Sequence, residues 1–142
     1  MKFRAMKITD VDNIWVILKK NNLNLAEKER EIKEAEMMLK INPRSCFVVT
    51  KGKEIIGCIF GVFHGRRGFI YHLTVDSKWQ HKGIGTKLIE YAENALISMG
   101  CTRINLWVDL NNLRVVPFYE KIGYVAYEPE AVLKKKEIWD KS

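Results

Sequence analysis

FIYHLTVDSKWQHKGIGTKLIEYAENALISMG, residues 69–100, changes period partway along, and the change marks both the fold and a candidate site. Phe69–Val75 alternates as a strand does. From Ile84 onward the apolar residues Ile84, Leu88, Tyr91, Ala92, Ala95, Leu96 and Met99 recur at spacings of four, three, one, three, one and three. That is the stripe of an amphipathic helix, with Gly100 at its C-terminal stop. Between strand and helix lies Asp76–Gly83, ending in a turn that carries Gly83 and Gly85. The first N–H groups of a helix have no partner within it, and the helix dipole adds partial positive charge there. Glycines let a bulky anion reach that backbone, and Lys82 adds a formal charge, so the segment reads as a phosphate cradle. A lone G-x-G also suits a plain turn into a helix; the strand before it and the long helix after it favour anion binding.

Working outward, the upstream half supplies a β region and two helices. Phe3–Lys7 is expected to be a first strand. Thr9, with Asp12 three residues later, reads as a cap for a helix carrying Val11, Ile14, Trp15 and Leu18. Asn21, Asn22 and Asn24 end it. A charged helix over Ala26–Lys40 follows, with Ile32, Ala35, Met38 and Leu39 on one side and Asn42-Pro43 as its stop. Ser45–Lys51 and Glu54–Phe63 flank Gly52-Lys53 as a hairpin, and His64–Gly68 turns into Phe69–Val75, which predicts an antiparallel meander. Downstream, Arg103–Val108 reads as a strand, Val116–Lys121 as a helix, and Tyr124 towards Lys136 as a final strand pair. The order β-α-α-β-β-β-α-β-α-β-β predicts an α+β (mixed α/β) fold in one domain over residues 1–142.

Composition narrows the function classes. A chain of 142 residues with 47% hydrophobic and 29% charged residues has the balance of a soluble globular protein. Its longest apolar run, Ile55–Phe63, is too short to span a bilayer, and MKFRAMKITD has no apolar signal core. Cys46, Cys58 and Cys101 are odd in number and far apart, which argues for buried thiols in the cytoplasm and against disulfides or a metal site. The net charge of +7 suits a polyanionic ligand, whether nucleic acid, acidic protein or phosphorylated cofactor, and equally a lysine-rich soluble surface. No helix is basic along one face and no zinc-finger or RNA-binding motif occurs, which makes nucleic acid the weaker reading.

The cradle matches neither a Walker A loop nor a Rossmann turn. Gln80, Gly83 and Gly85, as Gln-x-x-Gly-x-Gly, instead resemble the acetyl-CoA motif of the GNAT N-acetyltransferases. Asn112 and the run Phe118-Tyr119-Glu120-Lys121-Ile122-Gly123-Tyr124 resemble that family's second signature at matching spacing. Gly65-Arg66-Arg67-Gly68 and the short chain are similar to small bacterial or archaeal members. The resemblance covers nearly the whole chain. It implies a mostly antiparallel central sheet, flanked by about four helices, whose central strands Phe69–Val75 and Arg103–Val108 splay apart around acetyl-CoA. It implies cofactor contacts at Leu73, Thr74, Val75, Gln80, His81, Lys82, Gly83, Ile84, Gly85, Thr86 and Asn112, with no metal, and it leaves a homodimer open. The partners implied are acetyl-CoA and an amine, joined by direct attack without an acyl-enzyme.

Such a reaction needs a neutral amine and a proton for the departing thiolate. Tyr119 is the candidate donor, since a phenol of ordinary pKa about 10 is protonated at neutral pH. Asn112 could hold pantetheine or cap a helix, and Pro117 implies that the helix bearing Tyr119 starts late or has a distorted first turn. The positions where some relatives carry a glutamate hold Tyr71 and Trp107, neither a base. His72 is expected on the opposite face from Tyr71 and Leu73 by strand alternation. His72 and Asp109 are weaker candidates for the base than a water chain. A non-catalytic acyl-CoA-binding module of the same fold is the main alternative.

Overall fold

Strand period and helix period sort themselves into a sheet with helices on both faces. The strands β1 (Lys2–Ala5), β2 (Cys46–Lys51), β3 (Glu54–Phe63), β4 (Gly68–Val75) and β5 (Ile104–Asn105) lie in chain order in one sheet. The first three contacts are antiparallel and β5 is parallel to β4. The helices are α1 (Val11–Asn21), α2 (Lys28–Ile41), α3 (Ile84–Ser98) and α4 (Val116–Lys121). These details come from a computed structural model that describes residues 1–21, 24–126 and 134–139. Two compact units divide the chain, Met1–Trp107 and Val108–Ser142.

In the first unit, neighbouring strand residues point to opposite faces. Val48, Cys58 and Phe60 pack with Ile14, Ile17 and Leu18 of α1 and with Ala35 and Leu39 of α2. Val49 and Gly57 face the other way, towards Leu88 of α3. Leu88, Ile89, Ala92 and Leu96 are the buried stripe of that helix, as its spacing predicts. Phe60 is fully buried, and removing such a side chain from water stabilises by roughly 1.5–3 kcal/mol.

Polar side chains fix the joints. Asp10 is buried and accepts both guanidinium nitrogens of Arg4, at 2.8 and 2.9 Å, and the Lys7 N–H at 2.8 Å. Burial alone would push its carboxyl up; the Arg4 hydrogen bond and charge outweigh that and hold it below the usual range. The N-cap is Lys7, at the head of a 3-10 turn over Ile8–Asp10 that runs into α1, with Asp10 reaching back to the Lys7 N–H; Thr9 lies inside that turn and caps nothing. At the end of α2, buried Asn42 donates to the Met38 carbonyl at 3.2 Å and accepts the Phe63 N–H at 2.9 Å.

Several expectations change. The strand expected over Arg103–Val108 is limited to Ile104–Asn105. Trp15 is half-buried beside Lys19 rather than in the core, because Ile14 takes the inward position. In the second unit, a 3-10 segment over Leu110–Val115 precedes α4 with Pro117 in its first turn, so the helix starts late. Tyr124–Ala126 and Lys134–Lys136 are not strand, and residues 127–133 of the expected strand pair lie outside the described residues. Among the described residues no helix is long and apolar enough to cross a membrane.

Gly61 tests how tightly the sheet is packed. A Cβ there would lie 2.6 Å from the Ser45 carbonyl oxygen, which also accepts the Gly61 N–H at 3.0 Å. Backbone cannot yield as a side-chain tip does. Gly61→Ala is expected to lose about 1–3 kcal/mol, read from urea unfolding midpoints. A loss below about 0.5 kcal/mol, the scatter of neutral surface changes, would show that the β2–β3 pair adjusts freely.

Candidate functional site

The site begins where β4 loses its neighbour. β5 pairs with β4 only through Gly68–Ile104 and Phe69–Asn105. Beyond Phe69, β4 runs on to Val75 with β3 on one side and, among the described residues, no strand on the other, an open edge. Asp76 donates its N–H to the Ile56 carbonyl at 2.8 Å, and the Thr74 carbonyl lies against β3. By alternation with Thr74, whose groups face β3, Val75 directs its backbone groups to the other edge. The Val75 carbonyl does so visibly, accepting Gln80 Nε2 at 2.9 Å. Thr74 itself turns into the sheet with its side chain buried.

β4 also carries a bulge. Phe60 pairs with Tyr71 and Cys58 with Thr74, so His72 and Leu73 together oppose Ile59. His72 takes φ +53°, the left-handed region that non-glycine residues rarely enter. The extra residue breaks strand alternation, which corrects the expected orientation. Tyr71 packs against the α1–α2 core, and His72 lies on that same side with Nε2 3.5 Å from Glu31 Oε2 of α2. Its ring stands edge-on to Phe60 at 5.9 Å. Burial holds the imidazole below its ordinary value, against an opposing pull from Glu34.

The loop after β4 forms the second wall. Buried Asp76 accepts the Lys78 N–H at 3.1 Å and faces Lys20 of α1 at 3.5 Å. His81 and Gly83 have φ of +62° and +80°, which curls the loop so that successive amides can converge on an anion. Gly83 caps α3, and the first amide bonded back to it is that of Lys87, at 3.2 Å. The amides of Ile84, Gly85 and Thr86 precede that bond. Gln80, His81, Lys82 and Gly83 are exposed, Gly85 and Thr86 half-buried, and the Ile84 side chain is buried in the core. A Cβ on Gly83 would meet nothing within 4 Å. These features fit a phosphorylated ligand with an amide-lined arm.

The second unit holds Asn112 and Tyr119. Asn112 N–H donates to the Asp109 carbonyl at 2.8 Å, with φ −131° interrupting the 3-10 segment. Its side chain caps neither that segment nor α4, whose N-cap is Val115, so the capping reading fails. Asn112 Oδ1 is buried without a hydrogen-bond partner, the condition of a group that a ligand donor would satisfy. Tyr119 packs edge-on to Phe118 at 5.1 Å and to Tyr124 at 5.9 Å. Burial pushes its phenol up to about 12. Asp109 is exposed.

Cys46, Cys58 and Cys101 are free and buried, as expected from their spacing. Burial pushes the Cys46 and Cys58 thiols up to about 12. Sequence reasoning missed the bulge and the Glu31–His72 pair. Neither leaves a signal, since a one-residue insertion in a ladder looks like any other strand residue until the partner strand is known.

Residues 11–124 match the Acetyltransferase (GNAT) family. An acetyltransferase of Sodalis glossinidius is 30% identical over 140 residues, 99% of this chain and 98% of that protein. Human N-alpha-acetyltransferase 30 is 34% identical over 88 residues, 58% of this chain and 24% of that protein. A solved NatC complex bound to Gag peptide and CoA shares the fold with a TM-score of 0.76 at 22% identity, over 89% of this chain and 86% of that one. With the open β4 edge and the glycine-capped helix start already in place, this chain belongs to the GNAT family and is an acetyl-CoA-dependent N-acetyltransferase.

Proposed function

We propose that the protein transfers the acetyl group of acetyl-CoA to a primary amine by direct attack within a ternary complex. The open edge of β4 beside the start of α3 carries the reading. Backbone groups of Leu73 and Val75 hold the pantetheine arm, with Thr74 as the spacer between them. Amides of Ile84, Gly85 and Thr86 take the pyrophosphate, with Gln80, His81, Lys82 and Gly83 along the loop. Asn112 offers its unpartnered oxygen to a pantetheine amide. Acetyl-CoA supplies an acyl carbon activated by a thiol leaving group. Both units act as one catalytic domain, a reading supported by the family match that runs across residue 107.

The protein's own residues then handle the charge. An amide at the β4 edge stabilises the oxyanion that develops as the amine adds. Tyr119 meets the departing sulfur. Full transfer from a phenol near 12 to a thiolate of ordinary pKa about 8.5 is uphill. The hydroxyl therefore steadies the sulfur by a hydrogen bond, and the amine's second proton ends on the thiol. Cys46 and Cys58 are buried and held protonated, so neither is suited to an acyl-enzyme. Free thiols of this kind suit a cytoplasmic setting. Among acceptors, a protein N-terminus is the first to test, because human N-alpha-acetyltransferase 30 is among the relatives. A lysine and a small-molecule amine follow.

Three outcomes test this reading. Gly85→Asp puts bulk and a negative charge at the cradle; calorimetry is expected to show acetyl-CoA affinity at least tenfold weaker, and unchanged affinity in a folded variant would move the cradle elsewhere. Initial-rate lines at varied acetyl-CoA and amine should intersect, whereas parallel lines with an acetylated cysteine would replace direct attack with a covalent route. Tyr119→Phe keeps the ring and deletes the hydroxyl. It is expected to retain acetyl-CoA affinity and lose at least tenfold in single-turnover rate, the mark of a hydrogen bond made mainly in the transition state. With the phenol at about 12, its hydroxyl stays protonated to pH 10, so wild-type activity should show no alkaline fall from Tyr119 below that value. A wild-type rate in Tyr119→Phe would reduce Tyr119 to a packing residue.

A further inference from the structure

His72 is a side chain in a place that suits glycine. At φ +53° a glycine would sit without strain, yet the bulge of β4 holds an imidazole there. The bulge turns that imidazole towards α2, away from the position strand alternation would give it. Its Nε2 stands 3.5 Å from Glu31 Oε2, and the two side chains are 21% and 10% exposed. Glu31 Oε2 is buried and accepts no hydrogen bond. A buried carboxylate oxygen in that condition costs free energy until a donor reaches it, and a charged donor relieves it most. His72 is also joined through one peptide bond to Leu73, at the edge read above as the acyl-arm contact.

We propose that His72, paired with Glu31, takes the proton that the acceptor amine releases. The inference rests on the acetyltransferase reading of the β4 edge. An N–H bond of the acceptor ammonium breaks and leaves its electron pair on nitrogen. The proton enters the imidazole, which becomes imidazolium with Nε2–H directed at Glu31 Oε2. The amine lone pair forms the new N–C bond at the thioester carbon, and the C–S bond breaks with its pair on sulfur. Of the two remaining N–H protons one stays on the amide nitrogen and the other ends on the thiol, and His72 returns its proton to water. His72 is the catalytic residue here and Glu31 a positioning residue.

The surrounding groups are consistent with this role. Glu31 and Glu34 face the imidazole from α2, Tyr71 adjoins it on β4, and the Cys58 thiol of β3 donates to its carbonyl at 3.4 Å. Burial, with Glu34 second, raises both the Glu31 carboxyl and the Tyr71 phenol. Cys58 and Tyr71 are therefore neutral at neutral pH, and the charged groups around His72 are Glu31 and Glu34 with Arg30, which bonds Glu34 at 3.2 Å and acts on Glu31. Burial keeps the imidazole itself below the ordinary value of about 6.5, so it is neutral and able to accept a proton at pH 7.

The test uses the full chain, acetyl-CoA and a panel of N-terminal peptides, lysine peptides and polyamines. His72→Asn removes the titrating group with a residue that tolerates left-handed backbone. Its single-turnover transfer should fall about 100-fold or more, with unchanged acetyl-CoA affinity by calorimetry. The acid limb of kcat against pH, expected below about 6.5 in the wild type, should vanish. Glu31→Gln keeps the shape and removes the charge; the limb should shift to lower pH, because the imidazolium loses its counter-charge. A purely structural pair would move neither limb. Wild-type single-turnover rates in folded His72→Asn, or an unmoved limb in Glu31→Gln, overturn the proposal. If His72→Asn fails to fold, the limb in Glu31→Gln decides alone. Should the wild type release no thiol with any amine of the panel, the acetyl-transfer reading fails, and this one with it.

Discussion

β4 and β5 meet at Gly68, which has no side chain. A Cβ there would lie 2.7 Å from the Cys101 sulfur, which would have to move aside, while Leu96 of α3 and Ile104 of β5 would be at ordinary contact, so glycine lets Cys101 pack directly against β4. The Gly68 N–H reaches the Arg103 carbonyl at 2.8 Å, and the pairing continues through Phe69 and Asn105 before it stops. Trp107 then stands edge-on to Phe69 at 6.1 Å.

Everything on the open edge depends on that parting being held. The antiparallel pairs β1–β2–β3–β4 are continuous and backed by helices on both faces, so β4 can lose one neighbour without losing its register. At its far end Asp76 ties the strand into the β3 carbonyl row, the following turn and Lys20 of α1. Between these anchors sits the bulge, the strained element, with Cys58 bonding the displaced His72 carbonyl. Strain of this kind persists where neighbours over-determine the backbone, and the buried residues of β3 and α2 supply that constraint here.

Charge is arranged with comparable economy. The surplus of positive charge over the chain attracts a polyphosphate, while the amides at the start of α3 offer directional contacts that lysines alone do not. On the α2 side of β4, Glu31 stands 3.5 Å from His72, and Glu34, bonded to Arg30 at 3.2 Å, acts on both Tyr71 and His72.

The amino-acid sequence by itself determined the elements and the cradle. The shift from a two-residue to a 3.6-residue period at Ile84 located α3, Gly52 and Gly100 located turns, and Gln80, Gly83 and Gly85 located a helix start able to hold an anion. These are local properties, legible because backbone preference and side-chain period act within a few residues. Thr9 fell inside a 3-10 turn capped from Lys7, where Asp10 reaches back to the Lys7 N–H and pairs with Arg4 of β1. β5 shrank to Ile104–Asn105 because its partner's geometry, not its own β-branched pattern, limits pairing. The bulge at His72, its turn towards Glu31, and the buried oxygen of Glu31 were decided by tertiary structure alone. Registers between strands and encounters between a strand and a helix some forty residues earlier are relations between distant segments, and no local period encodes them.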